Sequence, residues 1–104
     1  MTEEQGKIEG DLLVDDSLRL HGMVTGHTTV TSDGVLALHG MCCSGLTLEA
    51  GSHVRVHGMV NGDVVNKGGD LAVHGMVNGD VITTAGKTSI DSDAVIRGEV
   101  RDNT

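Results

Sequence analysis

A chain of 104 residues with 16 glycines and no Phe, Trp, Tyr or Pro is one domain's length and lacks the rings that usually fill a small globular core. Its interior must be narrow and aliphatic. The formal charge of -8, fifteen Asp and Glu against seven Lys and Arg, comes with no basic cluster and argues against nucleic-acid binding and adsorption on anionic lipid. No apolar run approaches the ~18 residues of a membrane span, and the opening MTEEQGK lacks the basic and apolar regions of a secretory leader, so a cytoplasmic chain is expected.

In chain order, residues 1–6 are polar and are expected to fray. A first strand signal, Lys7-Ile8-Glu9-Gly10-Asp11-Leu12, opens an incomplete coil. Then one phrase recurs: LRLHGMVTG, LALHGMCCSG, VRVHGMVNGDV, LAVHGMVNGDV and a worn VIRGEV. The central glycines Gly22, Gly40, Gly58, Gly75 and Gly98 are separated by 18, 18, 17 and 23 residues. Such a period, carried by alternating β-branched residues and glycine, predicts an all-β, single-domain β-helix (β-solenoid) of about six coils of 17–18 residues. The β-helix domain is expected over residues 7–101, with residues 102–104 frayed.

One parity within each phrase is apolar: Leu18, Leu20, Gly22, Val24 in one copy, and Val54, Val56, Gly58, Val60, Val64 in another. A period of two assigns this parity to the interior. Turn residues separate the phrases at Asp15-Asp16-Ser17, Ser32-Asp33-Gly34, Ala50-Gly51-Ser52, Lys67-Gly68-Gly69-Asp70 and Ala85-Gly86-Lys87. The second phrase, HGMCCSG, reads as carrying a bulge at Cys42-Cys43. Residues 83–94 read as an insertion or an altered terminal coil. The adjacent cysteines are expected to be reduced.

Stacking at the ~4.8 Å strand spacing turns repeats into columns. One column is His21, His39, His57, His74 and then Arg97; the next is Met23, Met41, Met59, Met76 and then Glu99. Asn61 and Asn78 are expected to hydrogen-bond along the stack. Asp63 and Asp80 are expected to form an acidic, water-facing patch. The eight His and Met residues are the candidate partner-binding face, since Met adapts to different partners. The plainer alternatives are that they tile a sheet face or turn into the core. Binding of Cu(I) or silver by imidazole and thioether is a weaker alternative; no metal site and no cofactor is assigned. No catalytic constellation is present: His27 and His53 lack a nucleophile partner, and Cys42 and Cys43 lack a recognisable third group.

The pattern apolar-x-apolar-x-Gly-x-Val-x-Gly-x-apolar, as in Val54-Arg55-Val56-His57-Gly58-Met59-Val60-Asn61-Gly62-Asp63-Val64, resembles the bactofilin family of bacterial polymer-forming proteins, as does the opening Ile8-Glu9-Gly10-Asp11-Leu12. The resemblance spans residues 7–100. It implies a right-handed β-helix, no cofactor, and end-to-end assembly into filaments. Against assembly, the last phrase carries Arg97, Glu99, Arg101 and Asp102, and charges on an open edge oppose strand addition.

The expected function is therefore non-enzymatic: self-assembly through the coil ends, with a second copy as partner. The alternative is a small acidic immunity-type inhibitor covering a basic toxin, motivated by charge and size.

Overall fold

The computed structural model describes residues 2–4 and 6–102; Met1, Gln5, Asn103 and Thr104, which belong to the two expected frayed ends, lie outside the described residues. Every described strand pairs in parallel with the equivalent strand of a neighbouring coil. The described residues contain no helix. The chain winds as a three-faced β-solenoid.

Face one stacks Thr2–Glu4, Ser17–Leu20, Val35–Leu38, His53–Val56 and the second halves of the long strands Val64–Val73 and Val81–Ile90. Face two stacks Lys7–Ile8, Met23–Val24, Met41–Cys42, Met59–Val60, Met76–Val77 and Val95–Ile96. Face three stacks Leu12–Val14, Thr28–Val30, Leu46–Leu48, the first halves of the two long strands, and Val100–Asp102. The winding from Thr2 to Asp102 makes a little over five turns. Thr2–Glu4 lies in the segment whose polarity marks it as a frayed end, yet its backbone pairs with Leu18–Leu20.

The apolar parity points inward, as the period of two requires. Leu20, Leu38, Val56 and Val73 form one fully buried column, Val24, Cys42, Val60 and Val77 a second, and Leu46, Val64 and Val81 belong to a third. An interior bounded by three short strands leaves room for one aliphatic side chain per strand position, which accounts for the absence of aromatics. Polar groups enter the core only where they are paired. Asn66, fully buried, accepts from the N–H groups of Gly68 (3.1 Å) and Gly69 (2.8 Å) and donates to the carbonyls of Gly69 and Lys87 (3.0 Å each).

Two expectations about the repeat are corrected by the register. There is no bulge at Cys42-Cys43: Val24, Cys42 and Val60 align directly, and the ladder runs on through Cys43 N–H to Val24 O (2.8 Å) and Asn61 N–H to Cys42 O (2.8 Å). The second glycine of that copy is instead displaced by one residue, so Gly45 takes the place of Asp63 and Ser44 that of Gly62. The fifth phrase also shifts. Val95 and Ile96 pair with Met76 and Val77, so Gly98 succeeds Gly79 rather than Gly75. Arg97 and Glu99 accordingly follow Asn78 and Asp80, not the His and Met columns. The physical cause is a lengthened corner at Asp91–Ala94, closed by Ala94 N–H to Asp91 O (3.1 Å).

Candidate functional site

The corner between faces one and two is built by the His-Gly-Met phrase. At two turns consecutive N–H groups donate to one carbonyl of the coil before: His39 and Gly40 to Leu20 O (2.8 and 3.0 Å), His57 and Gly58 to Leu38 O (2.7 and 2.9 Å); His74 N–H donates likewise to Val56 O (2.7 Å). The next N–H, of Met41, Met59 or Met76, donates to the glycine carbonyl one coil back at 2.9 Å. Backbone therefore lies directly on backbone. A Cβ on Gly40, Gly58 or Gly75 would overlap the carbonyl oxygen of Gly22, Gly40 or Gly58 respectively. Close approach, not a left-handed dihedral, demands glycine here: none of the three has positive φ.

The glycines make the floor of a shallow groove of about 850 Å³ along the solenoid, lined by His21, His39 and His57 on one side and Met23, Met41, Met59 and Met76 on the other. The four imidazoles, His74 included, stack in register: successive centroids are 5.0, 4.8 and 5.0 Å apart, with planes inclined by 13°, 5° and 7°. His74 Nδ1 lies 3.2 Å from Asp91 Oδ2. None of the four methionines belongs to the buried core. The expected eight-residue constellation is thus one continuous feature, with His74 at its C-terminal margin beside the rim rather than on the lining. Among the described residues, Lys7 and Asp93 are the permanently charged groups of the lining.

Burial, the repulsion of protonated His39 and His74, and the Arg55 guanidinium together hold the His57 ring below the ordinary histidine range. Face one is less acidic than the whole chain. Arg19, Arg55 and Lys87 surround a second depression of about 630 Å³, with Asp70 held 3.2 Å from His53 Nδ1.

The corner between faces two and three uses its polar residues differently. Asn78 Nδ2 donates to Asn61 Oδ1 at 2.6 Å, the amide ladder expected from stacking. The aspartates do not simply face water and repel: Asp63 Oδ1 accepts the N–H of Asp80 (2.9 Å), and Asp80 Oδ1 accepts that of Glu99 (2.8 Å). Asp11 Oδ1 does the same for His27 N–H at 2.8 Å. The signal was available in the repeated Gly-Asp-apolar triplets at Asp11, Asp63 and Asp80. These carboxylates bind successive coils together.

Cys42 occupies the column of Val24 and Val60, where burial raises its thiol above the ordinary range against a 3.6 Å contact with Thr28 Oγ1. Cys43 is half-buried and free. Among the described residues, no three of His, Cys, Asp and Glu converge as metal ligands.

The family model described as polymer-forming cytoskeletal, Bactofilin, matches residues 1–101. The chain belongs to the bactofilin family. No curated protein and no solved structure matches it. Membership of a polymer-forming cytoskeletal family gives no support to the acidic-inhibitor alternative or to a basic protein partner for this bactofilin. No helix among its described residues is long and apolar enough to cross a membrane.

Proposed function

We propose that this bactofilin is a non-enzymatic, cytoplasmic structural protein that self-assembles through the ends of its solenoid. The observation that carries this reading is the exposed apolar edge of the last described coil. Ile90, Ile96 and Val100 continue the interior columns of Val73, Val77 and Val81. No further strand among the described residues pairs onto this edge, and Ile90 is 38% and Val100 53% exposed. Among the described residues, Val95–Ile96, Val100–Asp102 and the second half of Val81–Ile90 pair on one side only, which leaves backbone donors and acceptors for another chain.

The charges at this edge are partly neutralised within the chain. Arg101 pairs with Glu99 Oε2 through Nη2 (3.0 Å) and reaches Asp80 Oδ2 at 3.9 Å. Exposed pairs of this kind contribute little to stability. They do remove much of the repulsion that would oppose a second copy. The buried Cys42, with its thiol shifted away from the reactive thiolate, supports the non-enzymatic reading.

Light scattering after size-exclusion chromatography, with refractive detection because the chain has no Trp or Tyr, tests this. The wild-type chain should form large, concentration-dependent assemblies. Ile90→Lys combined with Val100→Lys should give a monomer with unchanged far-ultraviolet circular dichroism. A wild-type monomer at every concentration would sink the proposal.

A further inference from the structure

The repeated polar residues of this fold divide by what their side chains bond to. The side chains of Asn61, Asn78, Asp11, Asp63 and Asp80 all bond to a neighbouring coil. Among the described residues, the rings of His39 and His57 hydrogen-bond to nothing in the protein. They stack on each other at 4.8 Å and 5°. Opposite them across the glycine floor stand Met41 and Met59, paired in adjacent rungs and likewise outside the core. Two unbonded imidazoles and two half-buried thioethers therefore line one groove; Met41 Sδ meanwhile accepts a weak bond from Asn61 Nδ2 at 3.5 Å, which a bound cation would displace.

We propose that the middle of this groove is a binding site for a soft monovalent d10 cation, Cu(I) or Ag(I), held by an imidazole nitrogen of His39 or His57 and the sulfurs of Met41 and Met59. The donor set selects the metal. Thioether and imidazole suit soft cations, whereas Ca²⁺ and Mg²⁺ require oxygen ligands that are missing from the middle of the groove. Zn²⁺ takes Cys, His and carboxylate ligands, which do not converge among the described residues. Stacked rings with centroids 4.8 Å apart cannot both turn a face or an edge onto one small ion without unstacking. One ion therefore takes one ring and completes its shell with sulfur, which the flexible Met side chains can bring to it.

Ligation needs the neutral imidazole. An ion bridging Met41 and Met59 would tie two consecutive coils together and raise the unfolding temperature.

Cys43 is the competing soft ligand, being free and only half-buried. The test therefore uses the full chain carrying Cys43→Ser, titrated with Ag(I) as a redox-inert probe. It is followed through the methionine methyl and histidine ring signals by NMR and through the thermal unfolding temperature. The Met41 and Met59 methyls and the His39 and His57 rings should shift together and saturate, with a rise in unfolding temperature. Met41→Leu with Met59→Leu, which conserves volume, should weaken binding by at least about tenfold, the scale seen when even outer-shell support of a metal is lost. Met23→Leu should leave it unchanged, and Zn(II) should move no methionine methyl. Silver binding to the wild type that disappears with Cys43→Ser would overturn the proposal, because the thiol alone would then be the site. Methionine shifts without histidine shifts would overturn it too.

Discussion

Two corners of this solenoid are built from the same kind of material, a glycine flanked by repeated polar or soft side chains, and they put it to opposite use. At the Asn-Gly-Asp corner the side chains bond between coils: Asn78 Nδ2 donates to Asn61 Oδ1, and Asp63 Oδ1 accepts the Asp80 N–H. At the His-Gly-Met corner the backbone makes the repeated coil-to-coil bonds; side chains add only His74 Nδ1 beside Asp91 Oδ2 and a weak bond from Asn61 Nδ2 to Met41 Sδ, while the rings of His39 and His57 line the groove. Repetition by itself therefore does not separate structure from function in a solenoid. Asking where each polar atom finds its partner does.

The sharpest way to break the comparison is at the glycine floor. Gly58→Ala places a Cβ on the Gly40 carbonyl oxygen, where no flexible side chain can yield. It should cost about 3–5 kcal/mol, at the upper end for single substitutions, measured by urea unfolding with circular dichroism. At the other corner, Asp63→Ala leaves the Asp80 N–H without its acceptor and should cost about 1–2 kcal/mol. Asp63→Asn, which retains a carbonyl oxygen, should recover much of that loss. An equal cost for both variants would show that the charge, not the acceptor, matters there.

The imidazole ladder adds a pH dependence to the first corner. With its folded-state pKa lowered, chiefly by burial and then by His39, His74 and Arg55, His57 binds fewer protons in the native than in the unfolded chain. Its contribution is intact above the ordinary histidine value of about 6.5 and is lost as pH falls through the lowered folded value. The wild-type unfolding temperature should thus fall on acidification across this window, and His57→Gln should fall less. The smallest effect belongs to the methionine wall. Met59→Leu should change stability by less than about 0.5 kcal/mol, because the side chain lies outside the core. A cost comparable to that of a core truncation would place Met59 among the structural residues and end the contrast.

Most of the fold could be read from parity and period. The interior columns through Leu20, Val24 and Val64 follow from alternation, and the coil length follows from the spacing of Gly22, Gly40 and Gly58. What could not be read was register wherever a copy had one informative glycine instead of two in their usual places. Gly98 matches either glycine of the phrase by sequence, and only the longer corner at Asp91–Ala94 decides between them. Gly45 reads as a bulge marker because the glycine moved while the ladder did not. In the opening coil, Gly6 and Gly10 keep the spacing of Gly22 and Gly26, but Gln5 and Lys7 stand where His21 and Met23 would mark the phrase. The His-Gly-Met groove was legible as two columns, but not as a cleft, because the turn at the glycine sets both walls on one corner. The role of Asp63 and Asp80 was missed for a related reason. Like charges in a column suggest repulsion until the neighbouring N–H is located.

The backbone hydrogen bonds between coils run along the solenoid axis, from each coil to the next. A pull on that axis loads all the ladder bonds of one coil boundary together instead of peeling them apart one by one. If two copies join by adding strands at the last coil, their joint has the same bond geometry as every boundary inside the subunit. A filament so made would have no mechanical seam: the tension that separates neighbouring subunits would be close to the tension that unravels one.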